Sequence, residues 1–215
     1  MGKLIIEISK IIIILVFPFI LLIRGAVEFH EQFHLSPFLS IIAGILVTAI
    51  LLFLYLTIFY SHYSGNFGSL KGVKIRLLAA VLITTLYATH GIFYLSTGNL
   101  KNTEVKNEIN KVHPILRLSV STIIILDSDL IITDGKRVPE DYKKMGLKEK
   151  KHSLHYRQSN GYAHALDLRT NGRSVVRNFL LKNYFKLMGF RTLRHVGTDD
   201  HLHISLMSHD RPGGI

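Results

Sequence analysis

The pattern of apolar and polar positions changes near residue 100. Before it, apolar residues form three long runs with almost no charge; after it, they recur at helical spacing or alternate as in strands. Residues 38–60, FLSIIAGILVTAILLFLYLTIFY, hold no charge, and residues 77–96, LLAAVLITTLYATHGIFYLS, hold one His. A bilayer core is crossed by ~20 apolar residues in helix, so both runs predict membrane spans. Residues 4–24, LIIEISKIIIILVFPFILLIR, predict another despite Glu7, Lys10 and Pro18. Their strictly apolar part, 11–23, also has the length of a signal-peptide core. The following RGAVEF is a poor cleavage site and Lys10 can snorkel, so a retained helix is expected.

The second half predicts a small α+β domain. TEVKNEINKVHPILRLSVSTIIIL reads as one or two helices interrupted at Pro114, and DLIITDGKR as a short strand turning at Gly135. SVVRNFLLKNYFKLMG has apolar residues at 175, 176, 179, 180, 184, 187 and 188 and stops at Gly189, the pattern of a capped helix. FRTLRHV and HLHISLM flank GTDD as a hairpin. The expected fold is thus an α-helical transmembrane region of about three spans over 1–103, then an α+β domain with an antiparallel sheet over 104–215.

Charge adds orientation. Lys3 and Lys10 precede the first span and Lys71, Lys74 and Arg76 precede the third, whereas GAVEFHEQFHLSP has two Glu and no Lys or Arg. The positive-inside rule places the N-terminus and the second loop in the cytoplasm and the 104–215 domain outside it. The net charge of +11 falls mainly on that domain, which suits anionic cell-wall polymer or lipid headgroups, and nucleic acid is excluded as a partner on that side. The chain has no cysteine, which rules out disulfides and thiolate metal ligands.

Candidate chemistry concentrates late in the chain. In HLHISL, alternation sends Leu202, Ile204 and Leu206 to one face and His201, His203 and Ser205 to the other. Upstream, HSLHYRQSNGYAHALDLRTNG supplies His155, His164 and Asp167, the last between apolar residues where an unpaired carboxylate is costly to bury. Two imidazoles, a carboxylate and an open position make a catalytic zinc shell. His155 is favoured over His164, because in a strand His164 and Asp167 face opposite sides.

ITDGKR, SLHY, GYAHALDLRT and DDHLHIS, in this order, resemble the zinc D-Ala-D-Ala peptidases grouped with lysostaphin-type enzymes and the hedgehog signalling domain, over roughly residues 110–207. The resemblance implies that His155, Asp167 and His203 bind zinc, that Asp200 or His201 is the catalytic base, and that Arg137 steadies the substrate carbonyl. Eleven residues separate His155 from Asp167, more than is usual in the family, with RQSN as an apparent insertion. If the two ligands sit on adjacent strands, a longer connecting loop still leaves their ends together at little entropic cost. Asp200 reaches the metal only if its strand begins irregularly at GTDD.

The function expected from these readings is a multi-pass, cell-membrane zinc peptidase with its domain outside the cytoplasm, acting on peptidoglycan peptides. Membrane lipids are its surroundings, and oligomer contacts through the spans are open. A zinc-stabilised binding module without turnover, with the membrane helices as the functional part, is the alternative. Asp134, Asp199, His152, His195 and His209 are expected as solvated surface or turn residues, Ser153 as a residue without nucleophile context, Arg169 and Arg173 as a basic rim, and Gly161 as a turn residue.

Overall fold

The computed structural model describes residues 2–144, 146, 148, 150–197 and 200–214; Asp199 lies outside them. Helices α1 (Gly2–Phe33), α2 (Pro37–Ser64) and α3 (Leu70–Phe93) are each long and apolar enough to cross a membrane. Helix α1 runs on past Arg24, so GAVEFHEQF, expected as loop, is helical as far as Phe33. An Arg24–Glu28 ion pair one turn apart supports the extension, and only His34 to Ser36 remain to make the turn into Pro37, which occupies the first turn of α2.

Large side chains such as Ile12, Leu46 and Leu82 point outward from these helices, as lipid-facing residues do. Helices α1 and α2 meet where Gly44 faces Leu22 and Ala26. A Cβ on Gly44 would stand 2.7 Å from the Leu22 carbonyl oxygen, so the backbones approach as closely as small residues permit.

The later elements are α4 (Thr103–Ile109), α5 (Pro114–Leu126), β1 (Ile132–Asp134), α6 (Pro139–Lys144), β2 (Ala165–Arg169), α7 (Val175–Leu187), β3 (Arg191–His195) and β4 (His201–Ser205). Pro114 does divide two helices: it opens α5, whose preceding residue His113 accepts a bond from the Ile115 N–H. Helix α6, in PEDYKK, has no counterpart in the sequence reading. At about 20 Å, α5 is too short to span a bilayer. It packs instead along α3, where Tyr87 and Thr122 share a 2.7 Å hydrogen bond.

The strands form one antiparallel sheet in the order β1-β2-β4-β3. Leu166, Leu168, Leu202 and Ile204 project from one face into a buried cluster that also holds Leu22, Ile23, Ala26 and Val27 of α1, Leu116 and Leu118 of α5, and Phe185 of α7. Packing therefore continues without a break across residue 103. The other face carries Asp134, Asp167 and His203 on neighbouring strands, since Asp167 is the register partner of both of the others.

Candidate metal centre

The two central strands bring Asp167 and His203 together directly, and His155 arrives from a turn. His155 is not on a strand, so it and Asp167 do not sit on adjacent strands. Its loop is held by the Arg137 N–H on the His155 carbonyl at 2.9 Å and by the His164 N–H on the Leu154 carbonyl at 2.8 Å. Ser153, hydrogen-bonded to Tyr142 at 2.7 Å, accepts from the His155 N–H at 3.3 Å. The RQSN insertion closes on itself: Gln158 donates to the Tyr162 carbonyl, and Gly161 turns the chain at φ +88°. The extra residues thus leave the separation of His155 and Asp167 unaffected.

His155 Nε2 lies 3.2 Å from His203 Nδ1 and 3.4 Å from Asp167 Oδ1, and His203 Nδ1 lies 2.9 Å from the same oxygen. Ligand atoms ~2.0–2.1 Å from a tetrahedral metal stand roughly 3.3 Å from one another, so this neutral-imidazole and carboxylate set fits zinc as it stands. All three residues are buried.

The surroundings prepare two of the three ligands. His155 Nδ1–H donates to the Gly135 carbonyl at 2.5 Å, which leaves the Nε2 lone pair turned to the site. Arg137 takes Asp167 Oδ2 at 2.7 Å and so leaves Oδ1 to the imidazoles. His203 is less well supported, because its Nε2 has no hydrogen-bond partner among the described residues.

Burial pushes the Asp167 carboxyl up, but imidazole protons of His155 and His203 directed at it override that and hold the group well below the usual carboxylate range; zinc would take the place of those protons as the positive partner. Burial lowers the His203 imidazole against the opposing pull of Asp167. Burial also disfavours the charged form of Arg137, yet Asp167 and Asp134 outweigh that and raise its pKa, so its charge is permanent.

The candidate catalytic groups differ in how far other side chains engage them. His201 Nε2 is 3.7 Å from Asp167 Oδ2, with a quarter of its side chain exposed. Asp200 lines the same cleft as His201 but is engaged: it accepts from Thr170 at 2.6 Å and from Arg194 at 3.1 and 2.6 Å, and these bonds lower its pKa. Arg137 is engaged by Asp134 at 2.7 Å as well as by Asp167.

These groups border an open cleft of about 930 Å³ whose rim includes Lys101, Lys150 and Arg169. His195, expected as surface, lines the cleft and stacks on His201 with centroids 4.8 Å apart. The signal for it was the hairpin register, which pairs His195 with His201. Asp134, also expected as solvated, anchors Arg137 from three residues away. Nothing in the sequence foretold the Tyr142 partner of Ser153. Arg173 pairs with Asp127.

His164 belongs to a second buried group with His30 and His113, whose ring nitrogens gather within 4.8 Å. Proton accounting argues against a metal there. His164 donates from Nδ1 to the Met207 carbonyl and accepts at Nε2 from Asn160; His113 accepts at Nδ1, so its Nε2 carries the proton. Only His30, which donates from Nδ1 to the Leu35 carbonyl, keeps an uncommitted lone pair, at Nε2. The group reads as a polar fastening between α1 and the sheet domain, reinforced by a Met207 N–H bond to Glu31 and a His209 bond to the His30 carbonyl.

No family model, no curated protein and no solved structure matches this chain.

Proposed function

We propose that the chain is a membrane-anchored zinc peptidase that hydrolyses peptidoglycan peptides at bonds involving D-amino acids. The observation that carries this reading is the convergence of His155, Asp167 and His203 at tetrahedral spacing on the floor of a cleft, beside a partly exposed His201. The resemblance of the four ordered motifs supplies the substrate class.

Zinc held by these three residues would act as a Lewis acid toward the scissile carbonyl and lower the pKa of water. His201 takes a proton from the attacking water as its oxygen adds to the carbonyl carbon, and the proton passes to the amine as the C–N bond breaks. Arg137 fixes the Asp167 carboxylate and holds positive charge beside the developing oxyanion. Lys101, Lys150 and Arg169 draw in a peptide rich in carboxylates.

The domain packs at the end of the helices that carries the α1–α2 turn, where Glu31 and His30 meet Met207 and His209. With the basic second loop in the cytoplasm, this end faces outward in a cell membrane, on the side of the wall. Binding without turnover is the second reading, favoured by one observation: Asp200 is occupied by Arg194 and Thr170, and Arg137 by two aspartates.

Purified full-length protein in detergent, given peptidoglycan fragments, tests both. We expect about one zinc per chain and release of D-alanine or a split cross-link that a chelator abolishes. Full zinc occupancy with every fragment intact rejects the peptidase and leaves the binding module.

A further inference from the structure

Helix α7 has two apolar faces, and the protein covers only one. Leu181, Phe185 and Met188 are buried inward, while Val176, Phe179, Leu180 and Leu187 form an outward stripe at helical spacing, each more than half exposed. The single polar residue in the stripe, Asn183, turns its amide back onto the Phe179 carbonyl at 2.7 Å, which leaves the outer face with little to offer water. Patches of this kind on a protein surface mark contact with another apolar phase.

We propose that α7 lies in the membrane interface with this stripe against phospholipid acyl chains, seating the sheet domain on the bilayer that the long helices span. Three observations identify the bilayer as the occupant.

The first is attachment at one end to α1 and at the other, by way of α5, to α3. Gly189, just past α7, lies against α1 so closely that a Cβ would stand 2.9 Å from Val27. At the other end Arg173 and Arg177 bind Asp127, the residue that closes α5, and α5 itself lies along α3.

The second is continuity, because Ile125 and Leu126 at that end of α5 are 63% and 81% exposed and extend the apolar surface from α7 toward the spans. The third is charge. Residues 168–197 contain no Asp or Glu, and Lys182 and Lys186 of α7 make no ion pair among the described residues, so they are free to meet anionic headgroups.

The absence of cysteine allows a direct test, since any introduced thiol is unique. Phe179→Cys and Leu180→Cys, both at exposed positions, would be spin-labelled in full-length protein reconstituted one chain per nanodisc of mixed phosphatidylcholine and phosphatidylglycerol. A label at Lys143→Cys serves as the exposed comparison. Bilayer contact predicts that the α7 labels collide at least several-fold more with oxygen than with a water-soluble nickel complex, relative to the Lys143 label. Equal nickel access at all three places the face in water and overturns the proposal. Protection from both quenchers overturns it too, in favour of a protein contact such as a second copy. The readout requires neither zinc nor turnover, so its failure is separate from failure of the peptidase reading.

Discussion

His201 and Asp200 are adjacent in sequence, yet they do different work. Both border the cleft, but His201 stands over the Asp167 carboxylate, whereas Asp200 is tied to Arg194 and Thr170. We therefore expect His201→Ala to lower turnover by ~10²-fold or more with zinc retained, and Asp200→Ala to cost far less. Comparable losses from both, with metal in place, would contradict this division. A second residue-scale expectation concerns acid. Burial lowers the His164 pKa to about 4 and holds that of its neighbour His113 well below 6.5. Below pH 6.5 the unfolded chain takes up protons that the folded chain refuses, so this stability is complete above pH 6.5 and is lost as the pH falls toward 4. For His164 alone the loss approaches about 3 kcal/mol. Thermal unfolding in detergent across that range should show the slope, and His164→Gln should flatten it; an unchanged slope would locate the acid sensitivity elsewhere.

Among the elements, those with a strict period were legible. The apolar runs marked α2 and α3, the spacing from Val175 to Met188 marked α7, and the alternation in HLHIS placed Leu202 and Ile204 inward and His203 on the site face. What escaped depends on contacts distant in sequence. His155 occupies a turn without periodicity and is positioned by Gly135 and Ser153, and α6 is too short for a hydrophobic pattern to register. The extension of α1 to Phe33 was hidden because its polar residues read as loop, although they face the sheet domain through His30 and Glu31. The α1–α2 crossing was equally silent, since Gly44 looks like any glycine in an apolar run. Gly44→Leu should force these helices apart and destabilise the protein by about 1–3 kcal/mol or more, seen as a lower melting temperature in detergent. A variant that melts like the parent would show that the close approach is dispensable.

For the molecule as a whole, the shared core has the largest consequences. Leu118 packs on Gly91, Thr122 bonds Tyr87, and Met207 and His209 reach back to α1, so the second half is completed by surfaces of the first. Residues 104–215 expressed alone should therefore aggregate or lack cooperative unfolding, and bind zinc poorly, whereas the full chain in detergent should unfold cooperatively and bind zinc. A soluble fragment that melts cooperatively with zinc bound would refute this. The same shared core imposes an order on biosynthesis. Helices α1 to α3 leave the ribosome before any strand, and the domain can finish folding only once they are inserted side by side with the α1–α2 turn on its own side. A chain inserted the wrong way would offer no template and should stay open to proteases, so on the proposed reading correct insertion would act as a checkpoint for the centre formed by His155, Asp167 and His203.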